Sequence, residues 1–271
     1  MYKVFDAQGN YVLVHHLIDV RSYIEIGYVD YEEAIVDEKY SSSNKSTYKS
    51  MNKKYYFNIE SRNKFNTCEC YSTKDISKPI RNSDCLTIIG TADTVFNDIK
   101  RYGVHGDVAV VNDSAFYYQK FDHFITVHGK LIPIVESYRN SFRSYEKFRY
   151  QTHSAIAKQC GLIECDQNNA NYLWKFRPVY RSSGLLAIWI GIALGYKSIL
   201  VHGITMEERN HFYDFNTSPV KSQFSKLFSL INNDQIKDLL VSNNVKVSSG
   251  IFSEFIGKPT RSWINANKSS K

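Results

Sequence analysis

Apolar residues between about positions 85 and 250 fall in short unbroken blocks separated by polar turns. "CLTIIG" (85–90), "DVAVVND" (107–113) and "FDHFITVHG" (121–129) read as short strands, with a helix from Thr94 to Tyr102 after the first. Continuous aliphatic runs of this length mark strands buried on both faces. Helical or irregular chain is expected from there to about Gly161. "SSGLLAIWIGIALGYKSILVHGIT" (182–205) then predicts a helix over 184–194, a break at Gly195 and Tyr196, and a strand over 198–203. "SQFSKLFSLI" and "DQIKDLLVSN" predict further helix, and "VKVSS" a late strand. Strands alternating with helices predict an α/β body with a mainly parallel sheet and helices on both faces.

Ahead of this body, residues 1–36 read as a small hairpin-helix module. "YKVFDAQGNYVLVHH" places two alternating segments around Ala-Gln-Gly-Asn, and "DVRSYIEIGY" gives a short helix capped by Asp19 and stopped by Gly27. His15 and His16 are adjacent on the second segment, so they point to opposite faces and suit surface or packing roles. Residues 37–54, "DEKYSSSNKSTYKSMNKK", have no period and read as a flexible linker. The α/β body is then expected over 55–271.

Composition narrows the classes. The chain has 271 residues, 43% of them hydrophobic, enough for a substantial core. The longest apolar run is interrupted by Gly-Tyr-Lys-Ser, so no membrane span is expected, and the N-terminus lacks the apolar core of a signal peptide. Five cysteines without a framework suggest reduced thiols in a cytoplasmic protein, and Cys68 and Cys70 lack the second pair a metal site needs. The net charge of +7 favours acidic partners, but the basic residues are scattered. "YRNSFRSYEKFRY" reads better as an amphipathic helix or lid than as a nucleic-acid surface.

In an open parallel sheet, ligands bind beyond the carboxyl ends of the strands. Those ends carry Gly90 with Thr91, Asp93 and Thr94; Asn112 and Asp113; His128; and His202 with Gly203, followed by His211. "GTADT" is neither a dinucleotide fingerprint nor a P-loop. Ser182 or Ser183 caps the long helix, whose first amides suit phosphate or carboxylate, although capping alone also explains a serine there. His128 and His211 are the acid/base candidates, because histidine titrates near neutrality. Glu207, Glu208, His211 and Asp214 fit no metal signature and read as a solvated loop.

"SSG" before an apolar helix, then "IALGYKSILVHGI", resembles a motif of bacterial lipo-oligosaccharide sialyltransferases, motility-accessory proteins and phage-encoded sialyltransferase-like proteins. "LTIIGTADTVFNDI" is similar to that family's nucleotide loop, "VAVVND" to its next strand, and "SSGIFSEFIGKP" to the tail of phage relatives. The resemblance spans about residues 85–265. It implies a variant Rossmann-like glycosyltransferase domain that takes a CMP-type nucleotide sugar without metal or other cofactor. Gly90, Thr91, Asp93, Thr94, Asn112, Ser182, Ser183 and Gly184 would lie by the nucleotide, with His211, or else His128, as general base. Thr-Ala-Asp-Thr replaces the family's Asn-Gly-Pro-Ser, so Asp93 needs a compensating cation, Arg181 or Lys197, or contacts a ribose instead. Thr205 stands where the family has an acid. The N-terminal module resembles modules of phage proteins. The alternative it implies is a catalytically silent virion or assembly component, in virion or host cytoplasm, that binds structural partners through residues 1–36. A nucleotide-binding hydrolase is a third, weaker reading.

Overall fold

The computed structural model describes residues 2–5, 11–14, 30–33, 53–61, 64–72, 77–118, 120–129, 131–141, 150–155, 170–175, 182–212, 228–229 and 231–268. Strands β1 (Tyr2–Phe5), β2 (Tyr11–Val14) and β3 (Asp30–Glu33) form a small antiparallel sheet in the order β2-β1-β3. The expected pairing of the first two segments is present, and β3 adds a strand that the pattern did not suggest. The helix expected between Asp19 and Gly27 lies outside the described residues, as does most of the linker. Lys53 and Lys54, at the linker's end, belong to a strand.

The larger sheet has nine strands: β4 (Lys53–Ser61), β5 (Lys64–Ser72), β6 (Cys85–Ile89), β7 (Asp107–Val111), β8 (His123–Ile125), β9 (Gln151–Ala155), β10 (Tyr172–Lys175), β11 (Ser198–His202) and β12 (Val245–Val247). Their order is β12-β11-β6-β7-β8-β9-β10-β5-β4. From β12 to β10 all neighbours are parallel, and the β4–β5 hairpin adds antiparallel to β10. The protein is therefore α/β with a mostly parallel, mixed sheet compatible with a Rossmann-like arrangement. β9 corrects the expectation of helical or irregular chain to about Gly161, and β4, β5 and β10 are strands that the pattern did not suggest.

The described helices are α1 (Val95–Tyr102), α2 (Ser114–Tyr117), α3 (Leu131–Ser141), α4 (Ser183–Ala193), α5 (Asp234–Ser242), α6 (Gly250–Ile256) and α7 (Arg261–Asn267). Alternation along the strands divides the core between the two faces of the sheet. Ile88, Ala109, Val111 and Ile125 pack with α4, α5 and α6, whereas Ile89, Val108, Val110 and Phe124 pack with residues of α1, α2 and α3. Parallel crossovers share one hand, so reversing the direction of travel moves the helices to the other face. The chain advances from β6 to β10 with α1 and α3 on one face, then returns to β11 through α4 on the other.

Helix α4 is buried at all eleven positions, as a helix apolar on every side must be. Gly191 lets it sit close on the sheet: a Cβ there would lie 2.8 Å from Leu86 and 2.9 Å from Ile199. The helix stops at Gly195, whose φ of +77° suits glycine.

A chain of buried polar groups crosses β10, β9, β8 and β7. Trp174 Nε1 donates to His153 Nδ1 (3.0 Å), and His153 Nε2 lies 3.1 Å from His123 Nδ1. His123 Nε2 lies 2.9 Å from Tyr196 OH, which donates to Asp107 Oδ2 at 2.6 Å. The indole can only donate and the carboxylate only accept, so every proton points the same way. Both imidazoles are thereby neutral, with the proton on Nε2. Burial lowers the pKa of His123 to about 4, against an opposing pull from Asp107, and drives that of His153 well below the ordinary value.

Candidate functional site

Strands β6 and β11 are neighbours, yet the chain leaves β6 toward β7 and reaches β11 only after the far side of the sheet is built. Such a reversal splays the connections apart and opens a crevice at the strand ends. A cleft of about 180 Å³ lies there. Gly90, Thr91, Asn112, His128, Ser182, Ser183, Gly184 and His211 all line it. The strand-end rule thus brings together most of the residues that the sequence nominated.

Close approach of the two strand ends shapes the floor. A Cβ on Gly90 would fall 2.4 Å from the Gly203 carbonyl, and Gly203 itself has φ +63°. Gly90 N donates to His202 O (2.8 Å), and Ala92 N to Gly203 O (3.0 Å). The buried Asp98 carboxylate, which the sequence did not single out, accepts from Gly203 N (3.3 Å), Thr94 Oγ1 (3.1 Å) and Ser249 Oγ (2.7 Å). Thr94 is therefore spent on the turn that seats α1 and does not line the cleft. Asp93 is exposed and also lies outside the lining. Its compensating cation is Arg209 (3.6 Å), whereas Lys197 binds Asp84 (2.7 Å); Arg181 lies outside the described residues.

On the opposite wall, Ser182 caps α4 by accepting from Leu185 N (3.3 Å). Ser183 instead ties the helix start to the end of β8, its Oγ accepting from Val127 N (2.9 Å). The main chain from His128 reaches Asn112 through one hydroxyl. His128 N donates to Thr126 Oγ1 (2.9 Å), which donates to Asn112 Oδ1 (2.8 Å). This assigns the Asn112 amide and leaves its NH2 donors for the cleft. Asn112 holds φ +52°, a left-handed conformation that asparagine tolerates better than most residues.

The two candidate histidines sit differently. His211 is half-buried, its Nδ1 2.8 Å from Thr91 Oγ1, and its backbone bridges to Ala92. His128 is exposed, yet desolvation by the protein around it lowers its pKa, against the Asp113 carboxylate. That shift favours the neutral imidazole, the form that accepts a proton. His202, also at a strand end, is fully buried between Ser248 Oγ (3.1 Å) and Gly103 O (2.8 Å) and serves the fold.

Sequence reasoning named none of Arg209, Asn210 and Ile204, which also line the cleft. Arg209 is a cation in the cleft wall. Asn210 carries a buried Oδ1 without a hydrogen-bond partner, a group that native structures usually satisfy. Ile204 wedges between the walls, its carbons 2.5 Å from where a Gly90 Cβ would stand and 3.0 Å from a Gly184 Cβ. Only position in the loop after β11 could have flagged them. Thr205, where the resemblance has an acid, is buried against Gly250. Cys68, Cys70 and Cys85 are free and buried, and burial pushes the Cys68 thiol up to about 12. No cluster of three or more His, Cys, Asp or Glu suited to a metal occurs among the described residues, and none of their helices is long and apolar enough to cross a membrane. No family model, curated protein or solved structure matches the chain significantly.

Proposed function

We propose that the cleft binds a nucleotide sugar, of the CMP-sugar type, and that the protein transfers the sugar to an acceptor hydroxyl. The observation that carries this reading is the convergence of α4's capped start, the Gly90–Gly203 floor, the Asn112 donors and two histidines at the sheet's switch point. Anionic groups suit a helix N-terminus with unpaired amides, and the orphan Asn210 acceptor suits a sugar or ribose hydroxyl. His211, oriented by Thr91, takes the proton from the acceptor hydroxyl, with His128 as the second candidate. The acceptor oxygen then bonds to the anomeric carbon, and the bond from that carbon to the phosphate oxygen breaks. The electron pair leaves with the nucleotide.

A binding protein without turnover is the second reading, and the size of the cleft favours it. About 180 Å³ is below the roughly 300 Å³ at which ligand pockets usually begin, which leaves little room for a donor and an acceptor together. Thermal-shift titration with CMP, UDP, GDP and their sugars tests the proposal. Ligand at a hundred times its dissociation constant adds about 2.7 kcal/mol of stability. No shift with any of them ends the nucleotide reading. If a nucleotide sugar binds, His211→Ala is expected to cut turnover by roughly 10²- to 10⁴-fold while keeping the shift. Binding without turnover in the unaltered protein selects the second reading.

A further inference from the structure

Arg209 is the one lysine or arginine lining the cleft among the described residues. The main chain around it is held independently of its side chain. Asp93 N donates to Asn210 O (3.1 Å) and Phe212 N to Thr91 O (2.9 Å), while the buried Met206 anchors the preceding turn. The guanidinium donates through Nε to Glu207 Oε1 at 2.7 Å, and its Nη1 lies 3.6 Å from Asp93 Oδ1. These partners are partly exposed, so the pairs are weak and exchangeable. Two contacts leave most of the five guanidinium donors for another oxyanion, and the planar fork matches phosphate in a bidentate fashion.

We propose that Arg209 grips a phosphate oxyanion of the ligand, and that Glu207 is its competitor, resting on the guanidinium until the phosphate displaces it. This deepens the nucleotide reading and rests on it: the cleft selects nucleotides over nucleosides through one arginine that the free protein keeps neutralised. Removing the cation and removing its competitor then act in opposite directions, which a merely structural ion pair does not do.

Titration calorimetry on the full chain, at low fixed ionic strength, decides. The ligands are CMP, UMP, AMP and GMP, the matching nucleosides and inorganic phosphate. The proteins are the unaltered chain and Arg209→Gln, Arg209→Lys and Glu207→Gln, each with its unfolding midpoint measured. The unaltered chain is expected to bind its preferred nucleotide at least tenfold more tightly than the nucleoside. Arg209→Gln should close that gap to within about twofold without weakening the nucleoside, Arg209→Lys should restore part of it, and Glu207→Gln should widen it. A gap that survives Arg209→Gln, or narrows in Glu207→Gln, overturns the role of Arg209 and leaves the nucleotide reading standing. Binding of inorganic phosphate but no nucleotide, lost in Arg209→Gln, sustains Arg209 and overturns the nucleotide reading. Binding of none of these ligands overturns both. If Arg209→Gln fails to fold, the Arg209→Lys and Glu207→Gln arms decide by the same signs.

Discussion

Two pairs of histidines show how one side chain is put to opposite uses. His123 and His153 lie on adjacent strands of the sheet, both sealed from solvent, in a hydrogen-bonded chain with a donor-only end and an acceptor-only end. His128 and His211 sit at the switch point, each beside the cleft, with Thr91 and Asp113 as neighbours. In the buried pair both ring nitrogens already have partners, so a proton can be added only by breaking a bond in a dry interior. In the cleft pair, solvent and ligand can reach the site. The contrast teaches that accessibility, more than proximity of imidazoles, marks a histidine as a candidate for chemistry.

The largest expected effect attacks the closed chain. His153→Ala would strand the Trp174 indole N–H and His123 Nδ1 in the core and leave a cavity, costing about 4 kcal/mol. Urea unfolding measures it, and a loss below about 1 kcal/mol would mean that the chain is not closed. Acid comes next. His123 is neutral in the fold down to about pH 4 but protonates near 6.5 when unfolded. The unfolded state therefore binds more protons, and stability present above pH 6.5 falls as pH drops toward 4, by about 3 kcal/mol for this group. His153 adds loss in the same direction. Urea midpoints that stay level between about pH 6.5 and 5 would contradict this.

A smaller effect tests the floor between the two regions. Gly90→Ala drives a methyl into the Gly203 carbonyl and should cost about 2 kcal/mol, read as a lowered unfolding midpoint. The smallest effect belongs to the cleft pair: His128→Ala and His211→Ala should each change stability by less than about 1 kcal/mol. A loss as large as that of His153→Ala would move that histidine into the structural class and erase the comparison.

Legibility followed the same division. β6, β7, β11 and α4 stand out because their burial is apolar, and "LTII", "VAVV", "ILV" and "LLAIWIGIA" need no distant partner to be read as core. β9 is just as buried, but "QTHSA" looks like loop, since Thr152, His153 and Ser154 sit inside the protein. Thr152 is satisfied by Asn171, and His153 by Trp174 and His123, groups 19 or more residues away. At the cleft, Gly90, Asn112, His128 and Ser182 were readable as strand and helix ends. Asp93 was misplaced because nothing local shows that it turns outward to Arg209.

The sequence by itself determined the α/β class, the parallel central strands and the strand ends where a site can form, because aliphatic period and turn chemistry are local properties. The tertiary structure decided which polar groups are spent on the fold and which face the cleft. It paired His202 with Ser248 and Gly103, Thr94 with Ser249, and Ser183 with Val127, while placing Asn112, Arg209, Asn210, His128 and His211 on the cleft. A polar side chain's role depends on the partner that folding brings to it, and that partner lies far away in the chain.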